Sequence, residues 1–332
     1  MGIRILTMAG VLAFAASTAS AQATMNELRL TEGETDINRL TAPVYDAANV
    51  ALAIGAFTGS YDKKQLFVRR GGGNMFTRGP EYRLNQAIDV AALFAESLRT
   101  QATAMGLRVA GDGASGWRLS GAIRDVFIES RQVPYGATLF YGYLQTDVQL
   151  DGPDGAKHTA TLRLHNYCGR YNAGMGRRDE AETCAAQLLV EGAQELLARL
   201  NRAHLHAAPH PALAAKLAGV ESAPADPQRP AIRAIGLSSL ETATPAFLKR
   251  LPNEQSESGR AAIVDALAIL GAASAVAPLA ARYALEDEDP RWYTLKAMDY
   301  IGGDEAMKLV STAGVNDPDT GPKRLAQRIV KK

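Results

Sequence analysis

RAAIVDALAILGAASAVAPLAARYALEDEDPRWYTLKAMDYIGGDEAMKLV, residues Arg260 to Val310, is one unit written twice with a shift of 31 residues. The shift pairs Arg260 with Arg291, Val264 with Leu295, Ala266 with Ala297, Leu267 with Met298, Leu270 with Ile301 and Gly271 with Gly302. Ala275 with Ala306, Val276 with Met307 and Leu279 with Val310 complete the match, and the same step backwards reaches Arg229 and Leu248. A period this regular signals a solenoid, in which no single unit buries its own apolar face. Val264, Leu267 and Leu270, then Leu295, Met298 and Ile301, stand at steps of three that fit one buried helical stripe, and a Gly follows each stripe.

Asp287, Glu288 and Asp289 invite a calcium-loop reading, but Asp289-Pro290-Arg291 is also a capping Asp ahead of a Pro at the first helical position. The second reading is preferred, with Arg260 and Arg291 pairing to acidic turn residues along the stack. Lys323 to Val330 reads as a half-repeat that caps the array with a polar outer face.

Upstream of the array, His204 to Gln228 is rich in Ala and Pro and reads as a linker. His204, His206 and His210 are its one constellation with a ligand look. Zinc or copper would need a fourth ligand and outer-shell partners that do not stand nearby, so no metal site is assigned.

The chain before the linker alternates differently. Asn85 to Met105 has helical spacing and Gly106 ends it. Strands are expected at Val50 to Phe57, Gln65 to Arg69, Leu107 to Ala110 and from Trp117. Leu144 to Leu150 and Ala160 to Leu164 alternate around the turn Asp151-Gly152-Pro153-Asp154-Gly155, which predicts an antiparallel hairpin apolar on one face. Asp179 to Leu200 is a second amphipathic helix. Arg69-Arg70-Gly71-Gly72-Gly73-Asn74 lacks the Gly-Lys-Ser/Thr ending of a phosphate loop and reads as a loop. The expected fold class is therefore an α+β N-terminal domain, an antiparallel sheet with two helices on one face, followed by an all-α helical solenoid. The expected boundaries are 1–21 for an export signal, 22–203 for the α+β domain, 204–228 for the linker and 229–332 for the repeats.

Arg4, the apolar run Ile5 to Ala16 and Ala19-Ser20-Ala21 make that export signal, too short for a transmembrane helix of about 20 residues. No Cys follows the run, so the mature protein is expected to be periplasmic, soluble and without a lipid anchor or integral membrane segment. Cys168 and Cys184, the chain's two cysteines, fit a structural disulfide in an oxidising compartment. A formal charge of +1 gives no basic field for nucleic acid. With 47% apolar residues there is material for ordinary cores.

Two resemblances follow. Val90-Ala91-Ala92-Leu93-Phe94-Ala95-Glu96-Ser97-Leu98, Met105-Gly106-Leu107-Arg108-Val109, Val126-Phe127-Ile128, the hairpin and the closing helix resemble the YajG-like family of small envelope lipoproteins. The lipid-bearing Cys of that family is absent, and the loop holding Cys168 and Cys184 is extra. Leu267, Leu270, Gly271, Asp287, Asp289, Arg291, Met298, Ile301, Gly302 and Asp317 resemble the short HEAT-like repeats first associated with phycobilisome lyases. The resemblances imply an envelope location and protein binding, with no cofactor and no catalytic residue to carry over. The expected function is a non-catalytic periplasmic interaction protein that binds other envelope proteins. Tyr135, Phe140, Tyr141 and Tyr143 are its expected binding residues, since tyrosine buries much area at low entropy cost. The alternative for those aromatics is the domain core. The alternative function is a carrier of a small apolar or lipid ligand held between the sheet and its two helices.

Overall fold

In the computed structural model the described residues are 27–28, 40–61, 66–70, 81–85, 88–111, 116–132, 138–171, 177–222, 224–240 and 242–331. The export signal, the triple glycine and Tyr135 lie outside them. The strands are β1 Glu27–Leu28, β2 Tyr45–Gly59, β3 Leu66–Arg70, β4 Tyr82–Leu84, β5 Leu107–Ala110, β6 Trp117–Gln132, β7 Thr138–Asp151, β8 Lys157–Tyr171 and β9 Ala208–Pro209. The helices are α1 Val90–Ala104, α2 Arg177–Leu200, α3 Ala212–Ser222, α4 Arg229–Leu237, α5 Ala243–Arg250, α6 Glu257–Leu270, α7 Val276–Arg282, α8 Glu288–Ile301, α9 Asp304–Asn316 and α10 Thr320–Val330.

The expected hairpin is present: β6, β7 and β8 run antiparallel, with Leu144 opposite Leu164 and Val148 opposite Ala160. The sheet as a whole is mixed, not antiparallel as expected. β2 and β3 lie beside the first and second parts of β6 and parallel to it, and β5 lies parallel on the far side of β2. The cause is α1, which carries the chain back so that β5 starts at the end where β2 starts. That helix begins at Val90, later than the spacing suggested, because the Asp89 carboxylate accepts from the amides of Ala91 and Ala92 at 3.0 and 3.2 Å. Gly106 closes it at φ +91°.

α1 and α2 cover one face of the sheet. Phe57 meets Phe94 edge to face at 5.6 Å. A Cβ on Gly142 would stand 3.1 Å from the Leu188 side chain, so the glycine lets α2 lie close on β7. The disulfide forms between Cys168 of β8 and Cys184 of α2, with a Cα–Cα distance of 5.2 Å.

The stretch expected to be a linker is folded. Asn201–Leu205 continues α2 as a wider turn, β9 pairs with the start of β2, and the His210 amide donates to Val44 O at 2.8 Å. The apolar alternation of Leu213, Leu217 and Val220, all buried, explains why the Ala-rich segment docks as a helix. In the helical region α4, α6, α8 and α10 pack in series, each against the next, and α7 packs on α9. Gly271 and Gly302 end α6 and α8 with positive φ, as their positions in the repeat predict. Arg260 pairs with Glu286 and Asp287, and Arg291 pairs with Asp317 and Asp319, so the recurring arginines do bind acidic turn residues of the next unit. The cap of α8 is Asp287 rather than Asp289, and its carboxylate serves Arg260 instead of the helix amides.

The two halves share one buried core. Arg202 donates to the last carbonyls of α6, Leu270 O among them at 2.7 Å, and Tyr45 donates to Leu237 O at 2.5 Å. A buried ionic seam joins α2 to the helical region. Lys296, 1% exposed, lies 2.8 Å from Glu195 and 2.7 Å from Asp265, and Arg233 reaches Gln194 at 3.0 Å and Asp265 at 3.2 Å. Burial works against the Lys296 ammonium, but the charges of Asp265 and Glu195 outweigh it and raise its pKa. Burial pushes the neighbouring Glu191 carboxyl up to about 7 against the pull of Arg233.

Candidate functional site

β7 is buried on both faces from Thr138 to Leu144 and alternates from Gln145 to Asp151. The change marks where a second layer covers the sheet. Along the first half, the face turned away from α2 meets α8 and α10. Tyr141 stacks on Tyr167 at 5.2 Å and on Trp292 of α8 at 5.9 Å. Tyr143 stacks on Phe127 at 5.0 Å, and the Arg328 guanidinium of α10 lies 4.2 Å from the Tyr143 ring. Phe140, on the opposite face, is fully buried. A Cβ on Gly321 would stand 2.5 Å from the Tyr141 hydroxyl and 2.8 Å from Glu288, so only glycine lets α10 start against this aromatic floor.

The expected binding residues are therefore not exposed. Phe140, Tyr141 and Tyr143 are 0, 2 and 4% accessible and are covered by the chain's own helices, while Tyr135 lies outside the described residues. Large aromatics on both faces of half a strand were the material of an internal seam. The histidines of the former linker disperse as well. His204 stacks on His158 at 4.1 Å, His206 takes a left-handed turn at φ 52°, and His210 Nδ1 accepts from the Ala212 amide at 3.3 Å. Among the described residues no group of three or more His, Cys, Asp or Glu side chains is arranged to hold a metal ion.

Where α10 lifts away from the sheet a cleft of about 650 Å³ opens, lined by Asp125, Phe127, Tyr143, Arg163, His165, Arg324, Gln327, Arg328 and Lys331 among others. Its charges come from both layers. Glu129, on β6 and 3% exposed, receives Arg324 at 2.8 Å and Arg328 at 3.1 Å. Burial raises the Glu129 carboxyl in spite of both arginines. Lys331 stands exposed at the mouth with no carboxylate partner among the described residues. Arg324 and Arg328 thus share a single carboxylate, and Lys331 beside them has none.

In the cleft floor, His165 Nε2 lies 2.9 Å from Asp299, which also holds Arg163 at 2.6 Å. Burial lowers the His165 pKa against the pull of Asp299 and so favours the neutral ring. Burial would raise the Asp299 pKa, but the hydrogen bond from His165 and the charge of Arg163 hold it below its ordinary value. Nε2 therefore donates to Asp299, and the buried Nδ1 is left with no partner. A carboxylate-oriented imidazole can serve as a base, but no Ser, Thr or Cys is hydrogen-bonded to its second nitrogen. Beyond Thr161 the cleft adjoins an open groove on the uncovered half of the sheet, lined by Ala56, Ser120, Gly121, Ala122, Gln149 and Thr159.

The arginines of α10 were not singled out in the sequence. Their spacing, Arg324 and Arg328 one turn apart and Lys331 three residues on, is the signal that places three cations on one helical side.

No protein-family model matches the chain, and no curated protein matches it. Among solved structures, it is similar to a protein described only as uncharacterized, at 13% identity over 48% of this chain and 93% of that one, TM-score 0.31. A Xanthomonas campestris protein of the DUF330 family aligns at 14% identity over 46% of this chain and 87% of that one, TM-score 0.31. A Helicobacter pylori protein described as a neuraminyllactose-binding hemagglutinin homolog aligns at 10% identity over 50% of this chain and 94% of that one, TM-score 0.22. Nothing about function is carried over at such values.

Proposed function

We propose that this is an exported, non-catalytic interaction protein of the bacterial envelope, and that it receives an acidic group of a partner protein in the cleft between β6–β8 and α10. The observation that carries the reading is that Arg324 and Arg328 meet one carboxylate, Glu129, while Lys331 beside them has no carboxylate partner among the described residues. Cations in excess at a concave, partly dry site attract an anion more strongly than the same charges on open surface. The adjoining groove, lined by small and polar residues, gives the rest of an extended segment a place along the sheet.

An export signal read in the sequence and the Cys168–Cys184 disulfide support the address. No helix among the described residues is long and apolar enough to cross a membrane. The series packing of α4, α6, α8 and α10 and the repeated arginine pairs support reading the helical region as a short solenoid of the HEAT-like kind. The carrier reading puts its ligand between the sheet and α1 and α2, where buried Phe94, Leu98, Leu164 and Leu188 fill the space.

The test is a titration of the purified protein with a fluorescent glutamate-rich peptide, read by anisotropy. Binding is expected to weaken with salt and to weaken about tenfold in Lys331→Gln, whose side chain is exposed, as loss of one charge-assisted contact implies. Binding indifferent to both salt and Lys331→Gln would sink the assignment.

A further inference from the structure

The charge arrangement in the cleft says more about its ligand than that it is acidic. Arg324 and Arg328 stand one helical turn apart on α10, and both reach the same small target, the Glu129 carboxylate, at 2.8 and 3.1 Å. Two guanidinium groups that close on one carboxylate converge within the width of a single multi-oxygen anion, where planar forks bind bidentately. Lys331 follows three residues later and lines the same cleft, so the third cation comes from the same side of the chain. Asp125 of the lining is paired with Arg69 and Arg163 with Asp299, so the three cations of the α10 end stand against Glu129 alone and two charges are left uncompensated.

A lone carboxylate would answer only one of them. Two carboxylates on neighbouring residues would spread over more space than the convergence point offers. A compact group with two charges and three or more oxygens satisfies both counts. The floor adds an unmet demand: the Nδ1 of His165 and the Nε of Arg328 are buried without a partner. Unsatisfied buried polar atoms are costly, and both sit on residues that line the cleft.

We infer that the cleft is built for a doubly charged tetrahedral oxyanion, the terminal phosphate monoester class, in preference to a single carboxylate. This rests on the anion-binding reading above and narrows it. Glu129 is then an internal occupant of the arginine pair, competing with the ligand for the same donors. It keeps the site folded when empty, and its neutralisation strengthens capture.

The experiment is isothermal titration of the whole purified protein at fixed ionic strength and pH 8 with four probes: inorganic phosphate, glycerol phosphate, dimethyl phosphate and acetate. The two dianions are expected to bind at least about tenfold tighter than the two monoanions, the scale of one additional charge-assisted contact. Glu129→Gln, which keeps the shape and removes the competing charge, is expected to tighten phosphate about tenfold, and Lys331→Gln to weaken it. Glycerol phosphate equal to inorganic phosphate identifies an esterified end group; inorganic phosphate alone identifies the free anion. Monoanions binding as tightly as dianions, or phosphate affinity unmoved by Glu129→Gln in a variant of unchanged circular dichroism, overturns the inference. If the glutamate-rich peptide still binds in that case, the broader reading stands, and if neither peptide nor phosphate binds, both fall together.

Discussion

The two faces of the sheet are covered in different ways. Towards α1 and α2 the contact is apolar and dense, with Phe57 on Phe94 and Leu188 over Gly142. Towards α8 and α10 it is aromatic and charged, with Tyr141 on Trp292, His165 on Asp299, and Arg328 over Phe127 and Tyr143. The first face follows from burying apolar area, which is non-directional. The second needs each partner in place, because a buried charge is tolerated only when paired. A cleft can therefore persist on the second face, where the layers touch through discrete contacts, and not on the first.

The contrast can be broken in three places. The largest effect is expected from Phe94→Ala on the apolar face, a loss of about 3 to 5 kcal/mol in urea unfolding from lost burial and the cavity left behind. Since the two halves share one core, tryptophan fluorescence of a Trp117→Phe background, in which Trp292 of the helical region is the remaining reporter, should give the same midpoint as far-UV circular dichroism. Separate midpoints would show that the halves unfold independently.

Lys296→Ala comes second, at about 3 kcal/mol, the lower end for breaking a buried pair because Arg233 stays within 3.2 Å of Asp265. A loss under about 1 kcal/mol, the range of surface pairs, would mean that the seam is wet.

The smallest effect concerns Glu191. Its carboxyl titrates near 7 in the folded chain against an ordinary 4.5, so between those values the folded state holds the extra proton. Stability conferred by that proton is complete below pH 4.5 and is lost as pH rises to about 7. Glu191→Gln should raise the melting temperature at pH 8 and change it little at pH 4.5. An equal shift at both values would place the origin elsewhere.

These faces also differ in how far the sequence announced them. The hairpin, α1, α2 and the Cys168–Cys184 bridge follow from period, turn composition and cysteine count, all local signals. The pairing of Arg260 and Arg291 with acidic turns was legible because a 31-residue shift repeats both partners. The parallel placement of β2 was not, since strand direction depends on where α1 delivers the chain. Nor was the cover over Tyr141 and Tyr143, although a trace of it existed. Leu139, Tyr141 and Tyr143 give way at the same parity to Gln145, Asp147 and Gln149. Such a strand, apolar on both sides for half its length, implies a second layer over that half alone. The role of Arg324 and Arg328 stayed hidden because a polar face on a terminal helix reads as solvent-facing until Glu129, about 200 residues away, is brought beneath it.

β8 is the outer strand of its sheet, pairing with β7 alone. Its His165 amide points away from β7 to the Tyr300 hydroxyl at 3.2 Å, and that hydroxyl donates to Glu195 at 2.6 Å. A side chain of the last helices thus takes the place of a further strand. Synthesis runs from the amino end, so the His165 amide on this rim waits for residues 288–330 to supply its partner, whereas Arg199 of α2 already donates to Arg163 O. Shortening the chain at Glu286 is therefore expected to leave the His165 amide unpaired and to promote edge-to-edge association, read by size-exclusion chromatography.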